Sequence, residues 1–335
     1  MEHRLLGKSG LAVSKLCLGT MTFGHTTSEK DSIDMMHRFL DRGGNFLDTA
    51  DVYVQGKSEE IVGKAIEDRR SEIVLATKVR FQTGKDLNSA GLSRKHIMNG
   101  VEASLKRLKT DYIDLYQVHV WDEFTPVEET LRALDDLVTS GKVRYIGCSN
   151  FLAWQLMKSL CYSDFNRFVR YISIQPQYSL VSREMDREVL PLCIEENVGV
   201  MPWAAIGSGF LSGKYKKGVQ PSEGRLHKAM GESSWQNRNT EKNWKILDTV
   251  VEIAEQRGAS PAQVALNWLL DKKGITSPIF GANTLDQFEE NMGTLDWKLT
   301  ADEWNELDKI SALDDEYPNR FIDKFKRTLT LDLSK

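Results

Sequence analysis

Eight short apolar runs, separated by turns and amphipathic segments, restrict what this chain can fold into more than any other feature. They occupy residues 16–20, 45–50, 73–78, 112–119, 145–150, 172–175, 199–203 and 277–282. The first seven recur at intervals of roughly 25 to 40 residues, long enough for a strand, a turn and a crossover helix. Between them, Ser28 precedes a segment with Ile33, Met36, Phe39 and Leu40 on one face, ended by Gly43. Ser93 precedes another with Ile97, Val101, Leu105 and Leu108 at helical spacing, and Ser260-Pro261-Ala262-Gln263 reads as a capping box with Pro at the first helical position. Strands that are apolar throughout, alternating with helices, predict a parallel sheet covered by helices. Eight such units are the number that closes a (β/α)8 barrel.

Two stretches depart from the repeat. Residues 4–13, with Lys8-Ser9-Gly10 as the turn, read as a small N-terminal β-hairpin that plugs one end of the barrel. The gap between Trp203 and Ser277 holds a polar, Gly-rich stretch, 207–239, expected to be a functional loop, and an extra helix over 241–257. No linker composition divides the chain, so residues 1–335 are expected to form one barrel domain, with 311–335 as a C-terminal segment over the mouth or an oligomer contact.

The charge balance narrows the partners. Among 335 residues, 44 Lys and Arg face 48 Asp and Glu, and no basic cluster stands out, which removes the electrostatic reason to expect a nucleic-acid partner. No stretch approaches the ~18 apolar residues of a membrane helix, and the N-terminus lacks the apolar run of a secretion signal. Cys17, Cys148, Cys161 and Cys193 lie far apart with no C-x-x-C pairing, which predicts reduced thiols and no metal site. The expected compartment is the cytoplasm.

In a barrel of this kind chemistry collects where the strands end. The second run closes through Asp48 towards Tyr53, the third closes on Lys78, and the fourth on His119. Taken singly, Asp48 could cap a turn, Tyr53 could be a rim aromatic, Lys78 could reach solvent and His119 could be a satisfied core histidine. Together at matching strand ends they describe a proton-donor site. A lysine that terminates an apolar strand needs a carboxylate partner or loses its charge. A positive Lys78 beside Tyr53 would stabilise its phenolate, and lowering the phenol by ~2 units takes about 2.7 kcal/mol of differential interaction. A neutral His119 could donate to a carbonyl oxygen as charge develops there.

These residues resemble the aldo-keto reductase superfamily. The block from Gly44 to Tyr53, followed by Gly56 and Ser58-Glu59-Glu60, is similar to the family's first signature. Asp111 to His119 is similar to the second, and Gly141 to Phe151 to a further block. The resemblance implies a (β/α)8 barrel, bound NAD(P)H, interconversion of aldehydes or ketones with alcohols by hydride transfer, and a tetrad of Asp48, Tyr53, Lys78 and His119 with Tyr53 as general acid/base. It implies cofactor contacts from Gly19, Thr20, Met21 and Asp48; from Ser149, Asn150 and Gln175 at the nicotinamide amide; from Trp203, on which the ring stacks; and from Ala204 and Ile206 after it. Gly209, Leu211, Gly213, Lys214 and Arg225 would cover the pyrophosphate, making 207–239 a cofactor-covering loop. Gly281, Asn283, Gln287, Glu290 and Asn291 would meet the adenosine end.

Two departures bear on the cofactor. Trp203-Ala204-Ala205-Ile206 stands where relatives carry Trp-Ser-Pro-Leu, and Gly281-Ala282-Asn283 replaces a Gly-Ala-Arg pattern. A neutral amide thus replaces a cation suited to a 2′-phosphate, so NADP is expected over NAD with a weakened preference. Phe23, Phe81, Trp121 and Tyr178 follow strand ends and are expected, with Tyr53 and His119, to wall an apolar substrate pocket. The expected partner is a small carbonyl or alcohol substrate, with a homo-oligomer as a further expectation. The strings Gly207 to Gly213 and Tyr53 to Lys57 imitate motifs of other nicotinamide folds but lie in the wrong context. The rival reading is a cofactor-holding regulatory subunit that acts through a protein partner, as potassium-channel β subunits do.

Overall fold

The computed structural model describes residues 1–227 and 234–325. A two-stranded antiparallel hairpin, β1 (His3–Leu5) and β2 (Ala12–Ser14), comes first. Eight strands follow: β3 (Cys17–Gly19), β4 (Phe46–Asp48), β5 (Val74–Val79), β6 (Ile113–Val118), β7 (Val143–Ser149), β8 (Tyr171–Gln175), β9 (Gly199–Val200) and β10 (Ile279–Phe280). Each is parallel to its neighbours, in the order β10-β3-β4-β5-β6-β7-β8-β9. The two ends of that sheet meet. Val200 bridges to Ile275, and the Ile279 N–H donates to the Pro202 carbonyl at 2.8 Å, which closes the (β/α)8 barrel.

The helices start where the sequence places them. Ser28, Ser93 and Ser260 each accept a hydrogen bond from the backbone N–H three residues on, opening helices Glu29–Asp41, Arg94–Leu108 and Pro261–Asp271. Gln263 completes the capping box by returning to the Ser260 N–H, and the extra helix runs Glu241–Arg257. Two cores result, as strands buried on both faces require. Leu6, Val13, Cys17, Phe46, Val74, Ala76, Leu115 and Met201 fill the barrel, while a larger shell of Leu, Ile, Val and aromatic residues lies between strands and helices. Burying one such side chain contributes roughly 1.5–3 kcal/mol.

The hairpin is a plug, as expected. Leu6 and Val13 belong to the barrel's interior cluster. Gly7 (φ +57°) runs so close beneath β8 and β9 that a Cβ would meet the Ile172 carbonyl, with Gly199 N 2.7 Å away. The stretch 207–239 carries short 3-10 turns at Gly207–Ser212 and Arg225–His227 and one helical turn at Trp235–Arg238. Residues 228–233 of that stretch and 326–335 of the C-terminal segment lie outside the described residues. Among the described residues no helix is long and apolar enough to cross a membrane, and no cluster of His, Cys, Asp and Glu could hold a metal ion.

Candidate active site

Strand alternation carries the polar groups inward. Phe46, Ala76 and Leu115 face the barrel interior, so Asp48, Lys78 and Gln117, two residues further along β4, β5 and β6, face the same side one layer higher. All three are buried, Lys78 completely. Tyr53 arrives by another route, on the 3-10 turn Tyr53–Gly56 after β4. Within that turn Val54 (φ 49°) and Gln55 (φ 56°) are both left-handed. A β-branched residue in that region is strained, a cost commonly met at functional sites.

The Lys78 ammonium is the hub. It donates to Asp48 Oδ2 at 2.6 Å, to the Thr49 carbonyl at 2.7 Å and to the Tyr53 hydroxyl at 3.2 Å, using its three protons. Asp48 Oδ1 accepts from Gln117 Nε2 (3.1 Å) and Gln175 Nε2 (2.8 Å), so the carboxylate is held from both sides. Burial by itself would lower the Lys78 pKa, but the charge of Asp48 and the Tyr53 oxygen outweigh it and hold it above its ordinary value. Lys78 is therefore a cation.

The Tyr53 phenol behaves differently from expectation. Burial raises its pKa, and Lys78 offsets only part of the rise because Asp48 opposes it. The expected net lowering is absent, since the ammonium that stabilises the phenolate is itself neutralised by Asp48. His119, its ring edge-on to Tyr53 with centroids 5.9 Å apart, has its pKa pushed down to about 2 by burial and by the charges of Lys78 and Arg80. Its imidazole is neutral at physiological pH. Nδ1 is buried without a hydrogen-bond partner, and an orphaned lone pair costs less than an orphaned N–H, which puts the proton on Nε2.

The strand-end residues expected at a nicotinamide form one hydrogen-bonded arc. Ser149 Oγ donates to the Gln175 carbonyl (2.6 Å), and Asn150 Nδ2 donates to Ser149 Oγ (2.9 Å) and to the His119 carbonyl (3.0 Å). The Trp203 indole N–H donates to Asn150 Oδ1 (3.0 Å), and Asn150 and Ala204 are both left-handed. Beyond the arc, Lys214 makes no ion pair among the described residues. Its Nζ lies 3.6 Å from where a Cβ on Gly209 would be and 3.3 Å from one on Gly224. Glycine at both positions thus leaves an ammonium against open backbone, a cradle suited to phosphate oxygens.

The remaining expected contacts border this rim. The Arg225 guanidinium reaches Met21 Sδ at 3.4 Å, and Thr20 Oγ1 donates to the Asp48 carbonyl. Gly19 pairs with Asp48. Leu211 is entirely buried and offers only its backbone, while Ile206 is partly buried. Asn283 accepts from Thr26 Oγ1 at 3.0 Å and donates its N–H to Gln287 at 2.9 Å. Asn291 donates to the Gly281 carbonyl, and the Glu290 carbonyl accepts from Gln263.

Residues 15–312 match the sequence model described as the Aldo/keto reductase family. The chain belongs to that family. It is 38% identical over 336 residues to the versiconal hemiacetal acetate reductase of Aspergillus parasiticus, covering 92% of this chain and 96% of the relative. A probable voltage-gated potassium channel subunit beta from Arabidopsis thaliana is 38% identical over 308 residues, 88% and 92% of the two chains. The uncharacterized oxidoreductase YrpG of Bacillus subtilis is 37% identical over 311 residues, 89% and 92%.

In this aldo-keto reductase the expected substrate wall needs correction. Phe81, 36% exposed, stands edge-on to His119 with centroids 4.7 Å apart, and Trp121 is half-buried with its ring against Phe151. Phe23, by contrast, is fully buried in the outer core under a tight loop and is not available to a substrate. Tyr178 is buried too, with its hydroxyl bonded to Asp186. Aromatic type at a strand end does not reveal which way the loop turns. Two residues were missed. Gln117 orients Asp48, a role that the register of β5 and β6 could have indicated. Trp154, 56% exposed at the start of helix Ala153–Asn166, packs on Trp121 with centroids 5.6 Å apart and continues its aromatic surface.

Proposed function

We propose that this protein is an NAD(P)H-dependent reductase that interconverts aldehydes or ketones with alcohols, in one barrel domain. The observation that carries the reading is the Lys78 ammonium held between Asp48 Oδ2 (2.6 Å) and the Tyr53 hydroxyl (3.2 Å). The cofactor, when bound, supplies the hydride. Tyr53 gives its proton to the carbonyl oxygen and regains one from solvent. Lys78 stabilises the phenolate left behind, Asp48 keeps Lys78 charged, and neutral His119 donates from Nε2 to the same oxygen.

The cofactor would be held by Ser149, Asn150 and Gln175 at the amide and by Trp203 under the ring. Ala204, Ile206, Gly209, Leu211, Gly213, Lys214 and Arg225 would hold the diphosphate. Gly281, Asn283, Gln287, Glu290 and Asn291 would meet the adenosine end, with Gly19, Thr20 and Met21 along the rim. NADP is the proposed cofactor and the cytoplasm the proposed compartment. The substrate rests against Phe81 and Trp121.

The test is multiple-turnover oxidation of NADPH and NADH with an aromatic aldehyde at neutral pH. Tyr53→Phe is expected to lose roughly 10²- to 10⁴-fold in kcat while its cofactor affinity stays within twofold. Equal activity in the variant would remove Tyr53 as the proton donor. The potassium-channel relative supports a second reading, a cofactor-holding subunit acting through a protein partner. Tight cofactor binding without repeated turnover on any of a panel of carbonyls and alcohols would select it.

A further inference from the structure

Arg80, directly after β5, has a φ of +147°, a backbone region that residues with a side chain rarely enter. Hydrogen bonds on either side hold it there: the His119 N–H donates to the Val79 carbonyl at 3.0 Å, and the Gly91 N–H to the Arg80 carbonyl at 2.8 Å. The guanidinium carbon lies 5.7 Å from the centre of the Phe81 ring, and that ring is the one edge-on to His119. The Arg80 charge also bears on the imidazole, helping to push the His119 pKa down. A permanent cation therefore stands one aromatic ring away from the proton-donor site.

The protein itself makes little use of that cation. Among the described residues the Arg80 side chain makes no hydrogen bond; its Nε has no partner, and its one ion pair, Nη2 to Glu123 Oε2, is long at 3.6 Å. Glu123 is 63% exposed, where such a pair contributes little. Asp122 is near enough to feel the charge, but its oxygens accept from the Leu92 and Phe124 N–H groups and the Thr125 hydroxyl. Arg70 shows what a structural guanidinium looks like in this fold. It is bound to Thr110, to the Ile73 and Tyr112 carbonyls and to Asp114, and is 14% exposed. Arg80 has none of those anchors and keeps 25% of its side chain open to solvent.

We propose that Arg80 determines the substrate class: this protein reduces carbonyl compounds that carry a carboxylate, with the carbonyl at Tyr53 and His119, a short apolar body against Phe81, and the carboxylate on the Arg80 guanidinium. A planar fork of N–H donors matches a carboxylate in charge and geometry. The proposal rests on the reductase reading above. The carbonyl carbon gains the hydride, its oxygen gains the Tyr53 proton, NADPH becomes NADP+, and the carboxylate is unchanged.

The test compares 4-carboxybenzaldehyde with 4-formylbenzamide, a body of the same shape without the charge, at saturating NADPH. In the wild type kcat/KM should favour the carboxylate by roughly tenfold or more, mostly through KM. Arg80→Gln should bring the two substrates to within about twofold of each other, while Arg80→Lys keeps part of the preference. Glu123→Gln should raise it, because Glu123 competes for the same guanidinium. A merely structural Arg80 would lower both substrates together and leave their ratio in place. No preference in the wild type, or an unchanged ratio in Arg80→Gln, overturns the proposal and leaves the reductase reading intact. A second readout needs no turnover: 4-(hydroxymethyl)benzoate, the product alcohol, titrated calorimetrically into the NADPH-loaded protein, should bind roughly tenfold more weakly to Arg80→Gln. Such Arg80-dependent binding without reduction of either aldehyde would keep the carboxylate site and strike the reductase reading; equal binding to both proteins would strike the site.

Discussion

Lys78 illustrates how one side chain sets the chemistry around it. Buried and charged, it is tolerable only because Asp48 and two further oxygens take its protons. Removing it would leave the Asp48 carboxylate buried without a counter-charge, held only by the two glutamine amides, a loss of the order of 3–5 kcal/mol. With the Tyr53 and Lys78 pKa values raised and the His119 pKa near 2, none of these three groups changes its proton between pH 6 and 9. In Asp51→Asn, which removes the nearby carboxylate that ionises near pH 7, the kcat of carbonyl reduction is therefore expected to be flat over that range, and a break near pH 7 persisting in that variant would contradict the assignment. Asn283 sets a second residue-scale expectation. It presents an amide, not a cation, where we propose the adenosine end to lie, so Asn283→Arg should raise the ratio of kcat/KM for NADPH over NADH by roughly tenfold through a charge-assisted bond.

Among the elements, the hairpin and the strand ends carry most of the organisation. Gly7 is glycine for two independent reasons, a positive φ and contact with the backbones of β8 and β9. Gly7→Ala is expected to destabilise the protein by about 2–4 kcal/mol, combining backbone strain with overpacking. Urea unfolding would show the midpoint shifted at constant slope, and an unchanged midpoint would mean that the plug does not bear on the barrel. The hairpin's seat beneath β8 and β9 also explains why the opposite end is the one left open for chemistry. There the strands terminate in polar residues whose partners are one another: Asp48 with Lys78, Ser149 with Gln175, Asn150 with Trp203.

At the scale of the whole molecule, buried titratable groups tie stability to pH. Burial and the charge of Glu59 lift Asp51 from an ordinary 3.8 to about 7. Its proton is then released by the unfolded chain first, so its contribution is full below about pH 4 and is lost as pH rises through about 7. Over those ~3 units the loss is of the order of 4 kcal/mol. Asp51→Asn should therefore melt higher than the wild type at pH 8 and close to it at pH 4, by calorimetry. An equal melting temperature at pH 8 would mean that Asp51 has a partner in solution. His119 acts with the opposite sign: held neutral, it contributes stability that is full above pH 6.5 and declines as pH falls towards 2.

The order of elements, the barrel and the convergence of Asp48, Tyr53, Lys78 and His119 were legible because they follow from periodicity. Apolar runs with inward alternation and capped helices leave few other ways to bury themselves, and strand ends name the rim. Strand limits moved by one to three residues, as at β9 (Gly199–Val200) within the expected 199–203, because edge hydrogen bonds depend on neighbours. The direction of the Tyr53 pKa, the burial of Phe23 and Tyr178, the part of Trp154 and the raised pKa of Asp51 were not legible. Each depends on which groups from distant segments surround a side chain. Sequence spacing says which face of a strand a residue occupies; only the packed tertiary structure decides whether water, a counter-ion or nothing stands opposite it.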